Sequence, residues 1–549
     1  MSALAIIALS QGYRVSGSDA RAGAQLDAVR EAGATCFVGH DARHVGGSDA
    51  HDDARDDEAL TLVDPPDLVV VSSAVPGDNV EVAFARRAGI PVFSRAQWLA
   101  RVTRGRAVAA VAGTHGKTST SAALAVALRS AGLDVSAVVG GNVPQFPGGR
   151  NAVGGGDDVF VVEADEYDGA FLGLEPATAV LLNVEHDHPD MFEDERAVVA
   201  MFAQFVRRVK PGGLVVACGD DANVRALVAT LAVRNDLRNE NRFTENFLEE
   251  RPEAVSCVTF GFGAANAWRA VDLRADTRTG GCSFTVTHEG AFVSEMSVPG
   301  TGAYAALNAL AAFVAGLEIL RRAAPRGAAT DAATVRSLAD SLATHEGVAR
   351  RMQMIGATER VAVYDDYAHH PTAARLATAA IKERHAGAFL AVAFQPHTRS
   401  RTEAMFDAFA DALGGGDFLI VTPVFDARPE RQGRNRGSED QASGAEASGA
   451  DLAARLAARA GGAFAATEAE AVDAVVDAVR DATTSAKTRA TREEKNDFHG
   501  KKQVVVLCLG AGAGFDEFSR RVFARLDELD PGWASGSAAS RRDADETTR

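Results

Sequence analysis

The residues of this 549-residue chain best suited to chemistry begin with a glycine-flanked turn at residues 113–118, which reads G-T-H-G-K-T. An apolar stretch at residues 107–112 precedes the turn and an Ala- and Leu-rich stretch at residues 118–131 follows it, which predicts the order strand, turn, helix. In that order, glycines let backbone N–H groups close around phosphate oxygens, and the helix N-terminus adds a positive dipole. The turn is therefore predicted to bind phosphates, with Lys117 neutralising charge and the Thr118 hydroxyl ligating Mg²⁺.

This turn is shorter than a full Walker A motif. Val111 stands where the first glycine of that motif would fall. A chance match of six residues is the alternative interpretation. The predicted strand and helix on either side of the turn favour phosphate binding over that alternative.

Two more polar residues follow predicted strands. Glu163 comes directly after the strand at residues 159–162, and His188 follows the strand at residues 179–182. Ligands bind at the carboxyl edge of a parallel sheet, where a carboxylate and an imidazole close to Thr118 could hold Mg²⁺. The alternative is a loop carboxylate and a histidine that caps a helix. The neighbouring polar residues are interpreted as solvated or supporting: Asp165, Glu166, Asp168, His186 and Asp187.

The first unit that must surround these residues is predicted to be Rossmann-like and to span residues 1–105. It begins with an apolar helix that ends near Gly12, followed by a strand at residues 14–16 and then by Asp19. In a Rossmann β-α-β unit, an acid after the second strand commonly takes a ribose hydroxyl. The first strand and the glycine-rich turn of such a unit are absent from the sequence. We expect either a truncated start or an unusual beginning of the fold.

Two further α/β units complete the predicted architecture. Residues 106–345 are predicted to form a central P-loop ATPase domain with a parallel sheet. Residues 346–530 are predicted to form a second Rossmann-like domain, which a glycine turn after the strand beginning at Val504 closes. The polar tail at residues 531–549 is predicted to be disordered.

Composition argues against several classes of protein. Lys+Arg 57 against Asp+Glu 74 gives a net charge of -17, which disfavours binding along a nucleic acid. The five cysteines form no CxxC pair, so neither a disulfide framework nor a zinc ribbon is indicated and a reducing compartment fits best. Charged residues, glycine or proline interrupt the apolar runs before the roughly 18 residues that a membrane span needs. We expect a cytoplasmic monomer or weak homodimer with no membrane insertion.

Several segments in order resemble motifs of the Mur ligases, cytoplasmic enzymes that build the peptidoglycan precursor. The resemblance begins with the G-T-H-G-K-T turn and covers residues 1 to about 515. Within the family, the acidic motif is most similar to that of the alanine-adding members. The other matching segments are V-V-E-A-D-E-Y-D at 161–168, L-N-V-E-H-D-H-P-D at 182–190, D-D-Y-A-H-H-P at 365–371 and F-Q-P-H at 394–397.

This resemblance implies an ATP-dependent ligase. ATP would transfer its γ-phosphoryl group to the carboxylate of UDP-N-acetylmuramate, and the amine of L-alanine would displace phosphate from the resulting acyl phosphate. Such a reaction needs charge neutralisation and positioning more than a protein nucleophile. Two alternatives stay open: a murein tripeptide-recycling ligase of the same family, and a catalytically inactive UDP-sugar-binding relative. If the gene is nuclear in a plastid-bearing cell, a plastid is the alternative location.

The resemblance also assigns roles to residues. The catalytic residues are Lys117, Glu163, His188 and Arg351, and the Mg²⁺ site consists of Thr118, Glu163 and His188. The ATP-binding residues are Gly113, Thr114, His115, Gly116, Lys117, Thr118, Asn308, Arg351 and Asp366. The substrate-binding residues are Asp19, Ser72, Ser73, Asn151, His369, His397 and Arg401. The alternatives are an exposed linker arginine for Arg351 and a turn asparagine for Asn151.

The sequence departs from the family pattern at two places. Tyr304 and Ala305 replace a His-Asn pair near the nucleotide, and Thr398 and Arg399 stand where many relatives have Arg and an aromatic residue. The first departure puts the adenine or ribose contacts in doubt, and the second weakens the assignment of alanine as the amino acid.

Overall fold

The computed structural model describes residues 1–47, 64–156, 158–240, 254–276, 280–323, 332–425, 449–489, 504–512 and 514–529. The predicted disordered tail at residues 531–549 lies outside the described residues.

The N-terminal unit has two small parallel sheets where a single α/β unit was predicted. Strand β1 pairs with β2, and strand β3 pairs with β4. The predicted strand at residues 14–16 is wrong, because the backbone pairing with β2 begins only at Ser16 and continues to Asp19. The elements are α1 (Ser2–Ser10), β1 (Ser16–Asp19), α2 (Ala24–Glu31), β2 (Thr35–Val38), β3 (Val69–Val71), α3 (Val80–Arg87), β4 (Val92–Ser94) and α4 (Arg95–Val102).

The opening helix α1 belongs to two cores at once. Ile6 and Ile7 are buried with Phe160 of the central domain, whereas Leu4 packs with Trp98 of the N-terminal unit. Apolar side chains on more than one side of α1 are therefore buried. The helix packs against both the N-terminal unit and the central domain and joins them.

A ten-stranded sheet organises the central domain, in the order β14-β13-β12-β11-β10-β9-β5-β8-β6-β7. The strands from β6 to β12 in this order are parallel, and β7, β13 and β14 pair antiparallel at the two edges. Its strands are β5 (Val108–Ala112), β6 (Val135–Val138), β7 (Ala152–Val153), β8 (Val159–Glu163), β9 (Thr178–Leu181), β10 (Leu214–Cys218), β11 (Ser256–Gly261), β12 (Trp268–Asp276), β13 (Gly281–His288) and β14 (Ala291–Val298).

Helices cover both faces of this sheet. The middle strands β5, β9 and β10 are buried along their whole length, which explains their continuous apolar sequences. Because β9, β5 and β8 are parallel neighbours, the segments after them meet at one edge of the sheet. The helices are α5 (Lys117–Ser130), α6 (Glu195–Val206), α7 (Ala222–Glu240), α8 (Ala303–Ala323) and α9 (Ala332–Ala343).

Among the described helices, α8 alone has the length and apolar composition of a membrane span. It packs against α5, α9 and the central sheet, and its residues from Ala309 to Leu317 are buried. The apolar composition of α8 is therefore accounted for by its place in the protein core.

The C-terminal domain is a second doubly wound sheet, with the order β15-β16-β20-β17-β18-β19 and only β15 antiparallel among its described strands. The predicted architecture of three α/β units is confirmed, and the boundaries at residues 105, 345 and 530 stay predictions. The elements are β15 (Gln353–Ala357), β16 (Val361–Asp366), α10 (Pro371–Arg384), β17 (Phe389–Gln395), α11 (Arg399–Ala404), α12 (Phe406–Leu413), β18 (Phe418–Val421), α13 (Gly449–Arg459), β19 (Ala463–Phe464), α14 (Glu468–Arg489), β20 (Val504–Gly510) and α15 (Phe515–Leu529).

Candidate active site

The predicted phosphate loop connects β5 to α5, and its two glycines have backbone conformations that favour glycine. Gly113 has φ +148° and Gly116, which caps α5, has φ +83°. A Cβ at Gly113 would lie 2.9 Å from the Leu182 Cβ, and one at Gly116 would collide with the Asn308 side chain. Close packing as well as backbone conformation therefore requires these glycines, and Asn308 lies directly beside the loop.

The Lys117 side chain folds back over its own loop. Its Nζ donates to the carbonyl oxygens of Gly113 at 2.6 Å and Thr114 at 3.3 Å, and to both carboxylate oxygens of Glu166 at 2.9 and 3.0 Å. Burial lowers the pKa of Lys117, but the carboxylates of Glu166, Asp165 and Glu163 together outweigh burial and hold that pKa above its ordinary value. The ammonium group at the loop therefore stays charged.

Glu166, which the sequence interpretation held back as solvated or supporting, is the counter-ion of Lys117. It is only 2% exposed, and burial raises its pKa to about 7 although Lys117 opposes that shift. The sequence offered only its place in an acidic run, since burial depends on packing against segments far along the chain.

Thr118 and Glu163 lie together at the mouth of the loop, as predicted for a metal site. The Thr118 hydroxyl donates to Glu163 Oε1 at 3.0 Å, and the Gly140 N–H donates to Glu163 Oε2 at 2.5 Å. A Cβ at residue 140 would lie only 2.6 Å from that carboxylate, so glycine makes room for it. A hydroxyl and a carboxylate at the start of α5 fit the preference of Mg²⁺ for oxygen ligands.

His188 lies beside the Lys117–Glu166 pair. Its Nε2 is 3.7 Å from Glu166 Oε1 and 3.7 Å from Asp187 Oδ2, and its φ is +56°. Burial lowers the pKa of His188, which keeps the imidazole neutral near pH 7. A neutral imidazole is the form that ligates a metal.

Arg401 bridges the C-terminal and central domains through Asp187, which the sequence interpretation had also held back. Its Nε and one terminal nitrogen lie 2.9 and 2.7 Å from Asp187 Oδ1. The same terminal nitrogen lies 3.3 Å from His188 Nδ1, and the other terminal nitrogen lies 3.2 Å from His397 Nδ1. Burial raises the pKa of Asp187, but Arg401 and three nearby histidines together lower that pKa well below its ordinary value. The pair is buried and ionised. It therefore places the predicted amino-acid contacts next to the predicted metal residue.

The linker into the C-terminal domain brings Arg351 to the loop. A terminal nitrogen of Arg351 donates to the Thr118 hydroxyl at 3.0 Å, and its guanidinium lies 4.9 Å from the centre of the Tyr367 ring. Asp366, a predicted ATP contact, accepts the backbone N–H groups of Met352 at 2.7 Å and Ala368 at 2.8 Å. Asp366 therefore holds the backbone next to Arg351, and burial raises its pKa.

Most of the predicted residues line one cavity of about 810 Å³ between the domains, a size within the range of ligand pockets. The lining residues among them are Thr114, His115, Gly116, Lys117, Thr118, Asn151, Glu163, His188, Asn308, Arg351, Asp366 and His369. Gly113, Asp19, Ser72, Ser73, His397 and Arg401 are not among the residues that line it. His397 nevertheless lies close to the cavity, because its ring is 5.4 Å from the ring of His369.

The predicted substrate residues of the N-terminal unit make local contacts. Asp19 accepts the Arg21 N–H at 3.1 Å, and the Ser72 hydroxyl accepts the Ala74 N–H at 3.3 Å. The Asn151 amide donates to the Ser2 hydroxyl at 3.0 Å, which links the central domain to α1. The structure brings Asn151 to the cavity and leaves Asp19 and Ser72 outside its lining.

Three family models match the chain in order. They are the Mur ligase family catalytic domain at residues 1–107, the Mur ligase middle domain at 111–316 and the Mur ligase glutamate ligase domain at 350–512. A UDP-N-acetylmuramate--L-alanine ligase from Frankia casuarinae is 38% identical over 443 residues, which are 78% of this chain and 81% of the relative. The enzyme of the same name from Mycobacterium avium is 36% identical over 442 residues, again 78% and 81% of the two chains.

Solved structures share the fold. A UDP-N-acetylmuramate-alanine ligase from Thermotoga maritima superposes with a TM-score of 0.67 at 22% identity, covering 96% of this chain and 97% of that one. A murein peptide ligase from Psychrobacter arcticus superposes with a TM-score of 0.61 at 22% identity, covering 96% of each chain. At this level of identity the two structures establish the architecture alone.

Proposed function

Because this chain belongs to the Mur ligase family, we propose that it joins L-alanine to the carboxylate of UDP-N-acetylmuramate at the expense of ATP, in peptidoglycan precursor synthesis. In this reaction the γ-phosphoryl group moves to the carboxylate, the amine attacks the acyl phosphate, and phosphate leaves. The observation that carries the proposal is the phosphate loop at the cavity. Lys117, Thr118 and Arg351 all line this cavity. Arg351 donates to the Thr118 hydroxyl, and Lys117 is held by Glu166. Curated relatives at 36–38% identity with the alanine-adding name support the choice of substrates.

The charged groups around the loop suit phosphoryl transfer. Lys117 and Arg351 place two cations at the N-terminus of α5, where backbone N–H groups already favour an anion. We propose that Thr118, Glu163 and His188 hold Mg²⁺, which would supply positive charge to neutralise the phosphates. Glu166 fixes the Lys117 ammonium over the loop, so little reorganisation is needed when phosphates bind.

Contacts between domains suit a reaction that must exclude water. Arg351 reaches Thr118, and the buried pair of Arg401 and Asp187 joins α11 to the loop after β9. An acyl phosphate is hydrolysed if water reaches it, so a cleft closed by these contacts protects it.

The amino-acid end of the site is proposed to consist of His369, His397 and Arg401. These residues approach His188 through Arg401, next to the proposed metal position. Arg399, which departs from the family pattern, forms an ion pair with Glu403 at 2.8 Å on its own helix. Its charge is therefore compensated by a residue of the same helix.

Phosphate release by the purified chain tests the proposal. We expect release only when ATP, Mg²⁺, UDP-N-acetylmuramate and L-alanine are all present. Faster turnover with the murein tripeptide than with L-alanine would instead identify the recycling ligase. Folded protein that releases no phosphate with either amine would support the inactive UDP-sugar-binding alternative.

We propose a cytoplasmic location, as the peptidoglycan precursor role requires. Nothing in the comparisons supports the plastid alternative. A monomer or weak homodimer stays a prediction, and sedimentation velocity at several protein concentrations would test it.

A further inference from the structure

A third cationic side chain, that of Arg95, lines the cavity besides those of Lys117 and Arg351. Arg95 is the first residue of α4 in the N-terminal unit. We infer that its guanidinium binds the carboxylate of UDP-N-acetylmuramate and holds this carboxylate at the phosphate loop, a role that rests on the ligase function proposed above. By contrast, Asp19 and Ser72 of the same unit lie outside the cavity lining.

The start of α4 fixes the backbone of Arg95. The Ser94 hydroxyl accepts the Gln97 N–H at 3.2 Å, and the Gln97 side chain accepts the Ser94 N–H at 2.8 Å, which together form a capping box. One turn further along the helix, Trp98 is buried and packs with Leu4 of α1. The capped first turn and the buried aromatic ring therefore hold Arg95 in a defined place beside the cavity.

The Arg95 side chain reaches from the N-terminal unit to the segment after β8. Its Nη2 donates to Asp165 Oδ2 at 2.7 Å, and the other oxygen of that carboxylate, Oδ1, accepts the Tyr167 N–H at 3.1 Å. Within the part of the chain that the structure describes, this is the one hydrogen bond of a guanidinium that has several N–H donors. Asp165 therefore orients the guanidinium and leaves donors for a ligand.

The ion pair of Arg95 and Asp165 is open, unlike the pair beside it. The side chains of Arg95 and Asp165 are 46% and 35% exposed, and both residues line the cavity. The Glu166 side chain that holds Lys117 is only 2% exposed. Because an exposed ion pair contributes little to stability, the chain should stay folded without Arg95. The guanidinium is therefore accessible to an anionic ligand from the cavity.

Asp165 also places Arg95 close to the phosphate loop. Burial raises the pKa of Asp165, but Lys117, Arg95 and the Tyr167 N–H together lower that pKa below its ordinary value. The ionised carboxylate thus interacts with the loop cation and with Arg95 at the same time. An anion bound to Arg95 would therefore lie near the group that Lys117 holds.

A guanidinium suits the acid of the proposed substrate. It pairs with a carboxylate through two parallel N–H···O bonds, which fix the directions of both carboxylate oxygens. In the proposed reaction, one of these oxygens must meet the γ-phosphoryl group at the loop. Arg95 would hold the carboxylate in that direction from the N-terminal side of the cavity, while Lys117 and Arg351 hold the phosphates.

Calorimetry with two UDP-sugars tests this inference on the full chain. UDP-N-acetylglucosamine resembles UDP-N-acetylmuramate but lacks the carboxylate. With Mg²⁺ and a nonhydrolysable ATP analogue present, Arg95→Ala should weaken the binding of UDP-N-acetylmuramate at least about tenfold and leave the binding of UDP-N-acetylglucosamine unchanged. Arg95→Lys, which keeps the charge and loses the planar fork, should have an intermediate affinity for UDP-N-acetylmuramate.

The matched control is Arg101→Ala, an exposed arginine on the same helix that does not line the cavity, and it should bind both sugars like the wild type. Circular dichroism checks that each variant is folded. Equal weakening for both sugars would overturn the inference, because it would indicate a contact with the UDP part or a structural role. Unchanged affinity of Arg95→Ala for UDP-N-acetylmuramate, or equal affinity of the wild type for the two sugars, would overturn it as well.

Phosphate release by the wild type distinguishes this inference from the proposed function. If the wild type releases phosphate with all its substrates while Arg95→Ala binds UDP-N-acetylmuramate normally, only the role of Arg95 is wrong. If the wild type releases no phosphate, the ligase function itself is wrong.

Discussion

The edge of the central sheet and the N-terminal unit hold their candidate residues in opposite ways. At the sheet edge, Lys117 is half-buried and Arg401 is buried, and each is paired with a buried acid, Glu166 or Asp187. In the N-terminal unit, Asp19 is exposed, and its carboxylate accepts the backbone N–H of the nearby Arg21. Buried charges are positioned by the protein before a ligand arrives, whereas exposed ones are positioned largely by the ligand.

The sheets account for this difference. Strands β5, β8 and β9 lie in the middle of a ten-stranded sheet with helices on both faces. Strands β1 and β2 form an isolated pair that is largely exposed, and an isolated pair of strands is marginally stable. The buried edge of the central sheet therefore holds the residues proposed for phosphoryl transfer, and the exposed N-terminal strands hold residues proposed for substrate binding.

Among the tests of this comparison, Lys117→Ala is expected to have the largest effect on turnover. Removing the ammonium should lower turnover at least about 10³-fold, because its charge is aimed at the phosphates. The chain should stay folded, since Glu166, whose pKa is already about 7, can take up a proton. Phosphate release and circular dichroism measure both effects, with the exposed Lys382→Ala as control. Near-normal turnover by the Lys117 variant would refute the role of the loop.

Arg351→Ala should have the next largest effect, a loss of turnover of about 10²-fold. Its guanidinium comes from the linker into the C-terminal domain and contacts the loop through the Thr118 hydroxyl. Steady-state kinetics of Arg351→Ala and Arg351→Lys would check this, with partial activity expected for lysine, which keeps the charge and loses the planar fork. Equal activity of both variants and the wild type would make Arg351 an exposed linker residue instead.

A pH experiment on His345, a half-buried residue that lines the cavity, sharpens the comparison. Burial lowers its pKa to about 4, below the ordinary value of about 6.5. The unfolded chain therefore takes up the proton first, so the stability contributed by neutral His345 is present above pH 6.5 and is lost as pH falls toward 4. Between pH 7 and pH 5, the free energy of unfolding should fall by about 2 kcal/mol more in the wild type than in His345→Gln.

Urea unfolding at the two pH values measures the His345 effect. An identical pH dependence in His345→Gln and the wild type would show that this histidine does not remain neutral in the folded protein.

The smallest effects are expected in the N-terminal unit. Asp19→Asn and Ser72→Ala should raise KM for UDP-N-acetylmuramate about 2- to 10-fold with kcat unchanged, since single exposed contacts contribute little and act equally on ground and transition states. Initial-rate measurements at varied UDP-sugar concentration check this. If either variant lowered kcat 100-fold, the substituted residue would lie at the reacting groups. The proposed difference between the two regions would then be wrong.

Much of the site could be predicted from the local sequence, because the elements that form it are consecutive along the chain. Strand, glycine turn and helix are consecutive along the chain, so the positions of Lys117 and Thr118 relative to the loop need no distant contact. Glu163 was predicted for the same reason, because it ends a buried strand of the parallel sheet. The predicted bounds of the first strand, residues 14–16, were wrong because these residues have no hydrophobic alternation. The pairing with β2 decides where this strand begins and ends.

Sequence by itself therefore determined the family, the three α/β units and the phosphate loop with its lysine. Only the tertiary structure decided which charges are buried and what they pair with. Asp187 and Arg401 are 214 positions apart, and Glu166 is 49 positions from Lys117. The strength of a charge interaction depends on exclusion of water, and water is excluded by segments that meet only when the chain folds.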